Sequence, residues 1–246
     1  MKSEQEKMQG INDLASALGA TVEVIQKGGD MSTWFCVNRM EWVEQIRSRP
    51  DKYAGINAWE AYARHHFNRY FAAEVHRTDP DAKLGKIPAY AGVFDWLLGN
   101  HGRGLFMLGM TGTGKTAIAR AIRALFADGH GMWYNNDRSA YYAERKMFQW
   151  YQSTDLRNYE VLDTALSYRF VIVDDLGMEQ ETAISYGQRR NPIIELIDNA
   201  ERRNGLLILT SNLTSEEFLA KYGERTVDRL NRLCKTILFK GNSFRV

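Results

Sequence analysis

Phosphate chemistry is written into one short stretch. Gly109-Met110-Thr111-Gly112-Thr113-Gly114-Lys115-Thr116 fits G-x-x-x-x-G-K-[ST], and Ala117 opens the segment beyond it. Glycines at this spacing let successive backbone N–H groups turn inward around an anion, and a following helix adds the positive end of its dipole. Lys115 can reach the β- and γ-phosphates of a nucleotide, and the Thr116 hydroxyl can take a Mg²⁺ position. A chance glycine-rich turn would lack the flanks found here. Leu105–Leu108 is a continuous apolar run of the kind a buried parallel strand requires, and Thr116–Phe126 has a helical pattern. Gly109 to Ala117 are therefore read as a nucleotide-binding loop.

Two carboxylates follow at the end of a second apolar run, Phe170-Val171-Ile172-Val173-Asp174-Asp175. Alone, such a pair is often a strand end meeting solvent. Behind a phosphate loop it is the expected Walker B partner, with Asp174 holding Mg²⁺ directly or through water and Asp175 orienting or activating the attacking water. Asp175 stands where many ATPases carry Glu, so slow hydrolysis is expected. A third run, Leu206–Leu209, ends in Thr210-Ser211-Asn212. A polar residue at that tip could touch the γ-phosphate or the lytic water. Asn212 is the first choice and Thr210 the reserve, while helix capping accounts for these residue types equally well. Farther on, Arg225, Arg229 and Arg232 share one helix face, with Val227, Leu230 and Leu233 on another. That pattern describes a solvated charged face, or, in a self-associating ATPase, an arginine that reaches a neighbour's γ-phosphate.

The elements that must hold these groups alternate regularly after residue 89. Helices are expected at Ala91–Leu98, from Thr116 to an end at Asp128-Gly129, and at Arg138–Tyr151, Leu156–Ser167, Ile193–Arg203, Ser215–Tyr222 and Glu224–Leu233. Strands are expected at Leu105–Leu108, Met132–Tyr134, Arg169–Asp174, Leu206–Leu209 and Thr236–Phe239. Alternation of this kind argues for a parallel α/β sheet covered on both faces. Residues 1–88 read as a separate small α+β module. It has a helix through Ile11, Leu14, Ala15 and Leu18, two β-prone runs (Thr21–Ile25 and Met31–Val37) around a turn, and helices after Asn38 and Asn57. The aromatic stripe from Trp59 to Val75 is packing surface, and His65 and His66 have no ligand pattern. The segment from Thr78 to Pro88, with Pro80 and Pro88, is the linker.

With 44% hydrophobic residues among 246, the chain can bury a core. Its net charge of +2 leaves any nucleic-acid binding to a local patch. Arg138, Arg145 and Lys146 interleave with Tyr141, Tyr142, Phe148, Trp150 and Tyr151, a mixture that can stack on unpaired bases or form half-buried core. Cys36 and Cys234 lie far apart with no zinc spacing, so a reducing, cytoplasmic location is expected. No apolar run approaches a membrane span. GTP is disfavoured because no N-K-x-D motif occurs.

Four blocks, GMTGTGKT, VIVDDLG, LILTSN and YGERTVDRL, occur in that order. Over roughly residues 89–246 they resemble the AAA+ core of DnaC/DnaI-type bacterial helicase loaders and of the closely similar IstB-type transposition helper ATPases. The resemblance implies a P-loop NTPase domain at 89–246, a three-layer α/β fold. Few residues follow the final strand, so no C-terminal helical lid is expected. It implies Lys115 and Thr116 as Walker A, Asp174 and Asp175 as Walker B, Asn212 as sensor 1, and Arg229 as the finger with Arg225 beside it. Arg245 in GNSFR would be a terminal sensor 2 arginine. It further implies ATP, Mg²⁺, assembly into a ring or spiral, single-stranded DNA contact and delivery of a DnaB-type helicase. Residues 1–88, which match no helicase-binding module, would be the partner-binding part. The alternatives are an ATPase helper of a transposase, a P-loop small-molecule kinase that leaves TSN unexplained, and a non-hydrolysing nucleotide-gated adaptor.

Overall fold

The computed structural model describes residues 3–24, 58–78, 80, 91–99, 103–133, 148–179, 183–185 and 188–240. In chain order the first elements are α1 (Glu4–Ala17), β1 (Thr21–Val24), α2 (Ala58–Thr78), α3 (Ala91–Gly99), β2 (Gly104–Gly109), α4 (Lys115–Trp133) and β3 (Gln149–Gln152). A 3-10 turn (Ser153–Arg157), α5 (Tyr159–Ser167), β4 (Phe170–Leu176), β5 (Ala183–Ser185) and β6 (Gln188–Arg190) follow. The chain continues through α6 (Pro192–Arg203), β7 (Leu206–Ser211), α7 (Ser215–Tyr222), α8 (Glu224–Leu233) and β8 (Cys234–Lys240).

The central strands β2 and β7 are buried at every position and so present no face to water, and the strands form one sheet in the order β1-β8-β2-β7-β4-β3. Every pairing in it is parallel. Alternate residues of the strands define one face: Phe106 and Leu108, Val171 and Val173, Leu207 and Leu209. They join Leu14 of α1, Ile193 and Ile197 of α6, Phe218 of α7 and Leu230 of α8 in one buried cluster. The residues between them, Leu105, Met107, Ile172, Ile208, Ile237 and Phe239, are buried too. The expected α/β P-loop architecture is present.

Two compact units divide the chain. One comprises residues 1–25, 100–119 and 148–246 and holds the whole sheet; the other comprises 26–99 and 120–147. In the second unit Ala63, Phe67 and Phe71 of α2 are buried, and Phe67 meets Phe94 edge-on at 5.2 Å. Among its described side chains, Ala63, His66, Phe67 and Phe71 of the stripe on α2 are packing surface, as the spacing predicts.

Three expectations need correction. The first residues do not belong to a separate N-terminal module: α1 packs on α7, β2 and β8, and β1 adds to the sheet beside β8 with Thr21 opposite Ile237. That pairing joins segments at opposite ends of the chain, so nothing local announces it. Second, α4 runs to Trp133, so Met132 and Trp133 are helical rather than strand. A three-residue apolar run does not distinguish the two by periodicity. Third, the strand instead is Gln149–Gln152, which overlaps the end of the stretch expected to be a helix to Tyr151. A tertiary partner, β4, decides that conformation. The second β-prone run near residue 31, the helix after Asn38, the linker around Pro88 and Arg245 lie outside the described residues.

Candidate nucleotide site

The loop after β2 turns through glycines at 109, 112 and 114, whose φ values are +151°, +86° and +86°. L side chains rarely adopt such conformations. A Cβ on Gly109 would also lie 2.6 Å from the Phe239 carbonyl oxygen of the neighbouring strand. Lys115 is the first residue of α4 and only 5% exposed. Its Nζ donates to the carbonyls of Gly109 (2.8 Å) and Met110 (2.9 Å) and to Oδ1 of Asn212 (2.6 Å). Thr113 is fully buried, and its hydroxyl donates to the Met110 carbonyl at 2.8 Å. The loop is thus folded around its lysine by its own carbonyls.

Strand register assembles the rest. β4 and β7 pair Val173 with Leu209, so Asp174 and Thr210 emerge side by side at the carboxyl end of the sheet. Ligands in open α/β sheets bind at that end. Asp174, 1% exposed, accepts on Oδ1 from Thr116 (3.0 Å) and from Thr210 (2.7 Å). Its Oδ2 accepts from Gln152 Nε2 at 3.2 Å, since β3 pairs Gln152 directly with Asp174. A buried carboxylate with three donors is satisfied without an ion partner.

Asp175 has φ +56°, the left-handed conformation, and the ladder between β4 and β7 is irregular between Val173 and Leu176. Bulges beside active sites re-aim a side chain, and a non-glycine residue in this conformation costs roughly 1–2 kcal/mol. The conformation is held from both sides. Asp175 N–H donates to Thr210 Oγ1 at 2.9 Å, and Ser153 Oγ donates to the Asp175 carbonyl at 2.6 Å.

Lys115, Thr116, Asp174, Thr210 and Asn212, expected on separate local signals, therefore meet in one place. Asn212 is joined to the phosphate-loop lysine, whereas Thr210 is joined to the Asp174 carboxylate and to the Asp175 N–H. Gln152 and Ser153 were not foreseen; the Gln149–Gln152 run does not alternate apolar with polar residues, and its register on β4 is a long-range property. Thr116 and Asp174 are hard oxygen donors of the kind that, with nucleotide phosphates, could hold Mg²⁺. Among the described residues there is no cluster of three or more His, Cys, Asp or Glu placed for a metal. A Mg²⁺ that keeps waters and phosphate ligands does not require one.

Arg229 lies on α8 and is tied within its own chain. Its Nη1 pairs with Asp198 of α6, and its Nε lies 3.6 Å from Glu201, which also takes Arg232 at 3.0 Å. Arg225 is exposed. Phe148 is 2% exposed and edge-on to Phe170 at 5.6 Å, and Tyr151 packs against the core cluster, where burial raises its phenol pKa, helped by Tyr168. Neither forms a base-stacking helix, which corrects that part of the DNA-contact expectation. Trp150 is half-buried on the same strand, and Arg138, Tyr141, Tyr142, Arg145 and Lys146 lie outside the described residues. Among the described residues no helix is long and apolar enough to cross a membrane.

Residues 80–246 match a family model described as IstB-like ATP binding protein. No curated protein matches the chain. Among solved structures, the DnaC helicase loader is similar over 56% of this chain and 79% of its own, at 22% identity and a TM-score of 0.41. DnaI is similar over 93% of this chain and 99% of its own, at 14% identity and a TM-score of 0.42. AMPPCP-bound DnaA from Aquifex aeolicus is similar over 64% and 47%, at 18% identity and a TM-score of 0.41.

Proposed function

The chain belongs to the IstB-like family of ATP-binding proteins, and from that premise we propose that it is a Mg²⁺-dependent ATPase that self-assembles and delivers a DnaB-type helicase onto single-stranded DNA. The observation that carries the ATPase reading is the convergence of Lys115, Thr116, Asp174 and Asn212 through direct hydrogen bonds. Lys115 and the loop amides would bind the phosphates, with Thr116 and Asp174 holding Mg²⁺, which supplies charge neutralisation on the transferred group. Asp175, aimed by its bulge, would orient the attacking water, and Asn212 would report on the γ-phosphate next to Lys115. Arg229, with Arg225 contributing less, would serve the site of a neighbouring copy. A head-to-tail contact of that kind builds a ring or an open spiral. Residues before 89 would contribute to the helicase contact.

A second reading shares every one of these residues: the same ATPase as helper of a transposase, favoured by the description of the matching family. The two separate in a reconstituted assay. A loader transfers purified DnaB-type helicase to closed circular single strands when ATP is present and fails to do so with Lys115→Ala. A transposition helper leaves the helicase in solution and binds duplex DNA instead. The finger is tested by mixing two inactive variants, Lys115→Ala and Arg229→Ala. Activity returns on mixing when an intact Arg229 serves another subunit's intact loop, and stays absent if Arg229 is only part of a charged face.

A further inference from the structure

We propose that Glu179 is a positioning residue that, through Lys221 and Tyr222, fixes the corner from which α8 presents Arg229 to a neighbouring subunit. The inference rests on the finger role just given to Arg229. Glu179 lies a few residues beyond Asp175, outside a regular strand or helix, yet is only 4% exposed. A buried carboxylate must be hydrogen-bonded, and this one has donors from two directions. Its Oε2 accepts from the Gly177 N–H at 2.9 Å; its Oε1 accepts from the Tyr222 hydroxyl and lies 3.3 Å from Lys221 Nζ. Lys221 also donates to the carbonyls of Gly177 (2.6 Å) and Glu179. The segment leaving the catalytic strand is therefore stapled to the last residues of α7.

One side of that staple is held by strand pairing, whereas the other is a helix–helix corner. β4 is paired on both edges and carries the aspartates. The α7–α8 corner, by contrast, turns at Gly223 (φ +76°), and α8 begins there without a side-chain cap. Opposite ends of α8 are then tied separately. Arg103 donates to the carbonyls of Asn231 and, at 2.7 Å, Cys234 at its C-terminal end, and Arg229 itself pairs with Asp198 midway. At the N-terminal end the Thr226 hydroxyl donates to the Tyr222 carbonyl at 2.7 Å. Tyr222 is 5% exposed and packs on Phe218 with ring centroids 4.8 Å apart. Its phenol pKa is raised by burial and by the nearby Glu179 charge, so it stays a donor throughout the working pH range. The tie to Glu179 thus sets where the helix starts relative to the sheet. Misplacing a catalytic group by about 1 Å can cost on the order of 100-fold in rate.

The test assigns the effect to one side of the interface. In mixtures of Lys115→Ala with Arg229→Ala, the first supplies the finger and the second the loop. Glu179→Gln keeps the shape but removes the charge and replaces one acceptor oxygen by an NH2 donor, which must face either the Gly177 N–H or the Lys221 and Tyr222 donors. Placed on the Lys115→Ala subunit, it is expected to lower the rescued turnover by about tenfold or more. Placed on the Arg229→Ala subunit, it should change turnover and ATP affinity by less than about twofold, because that subunit's α8 lies outside the rescued site, which takes its finger from the Lys115→Ala subunit. Tyr222→Phe, which removes one hydroxyl, should repeat the asymmetry and carries the test if Glu179→Gln does not fold. A defect confined to the loop-supplying subunit, equal defects on both, or no defect with either folded variant would overturn the proposal. If the unmodified pair fails to recover activity, the finger role of Arg229 fails, and this proposal with it, by a separate result.

Discussion

Replacing Thr210 by valine removes one hydroxyl and leaves the shape of the side chain unchanged. That hydroxyl donates to Asp174 at 2.7 Å and accepts from the Asp175 N–H at 2.9 Å, and Thr210 is fully buried. A hydrogen bond to an ionised group contributes about 1.5–3 kcal/mol, and leaving a buried N–H without a partner costs about 1–3 kcal/mol. Asp174 keeps Thr116 and Gln152, so its charge is not orphaned and the lower half of each range applies. The expected loss is about 3 kcal/mol. For a chain of this size that corresponds to a fall in Tm of roughly 6–12 °C. Urea unfolding analysed by linear extrapolation measures it, with an unchanged slope showing that only stability moved. Thr210→Ser retains the hydroxyl and loses a methyl group, so it should cost only about 1 kcal/mol. Valine within about 1 kcal/mol of the parent, or serine as damaging as valine, would refute the reasoning.

Burial pushes the Cys234 thiol up to about 12 from an ordinary value near 9, with Arg103 opposing slightly. Its contribution to stability is therefore whole below pH 9 and lost progressively between about pH 9 and 12, where the unfolded chain releases the proton. Iodoacetamide at pH 8 should modify this cysteine no faster than the protein unfolds, as peptide mass spectrometry would report; faster labelling would mean the site is open. Asp198→Asn breaks a pair whose side chains are 34% and 37% exposed, so stability should fall by no more than about 1 kcal/mol. The same change leaves Arg229 held, among the described residues, only by Glu201 at 3.6 Å, so the protein concentration giving half-maximal assembly-dependent turnover should drop by up to about fivefold, and a rise would show that Asp198 orients the finger instead.

How far a sequence reveals such a site depends on which interactions build it. The phosphate loop, the acidic strand end and the TSN tip were legible because each joins a continuous apolar run to a polar residue within a few positions. Their helices carry local signals as well, such as the reciprocal cap of Thr214 and Glu217 that opens α7. What could not be read is register. Gln152 faces Asp174 only because β3 lies on β4 in one alignment, and a shift by one residue would turn that side chain to the opposite face. The left-handed turn at Asp175 has no sequence signature either, since aspartate is common at strand ends. It exists because Ser153, Thr210 and an irregular ladder hold it together. β1 belongs to the same class, joining the sheet through a partner at the far end of the chain. Glu179 is the extreme instance. In the sequence it is one acid after two others; its three donors come from Gly177 and from Lys221 and Tyr222, more than forty positions away. Motifs therefore name the atoms that would touch ATP, whereas the backbone turn at Asp175 and the seat of α8 are decided by contacts that no local pattern encodes.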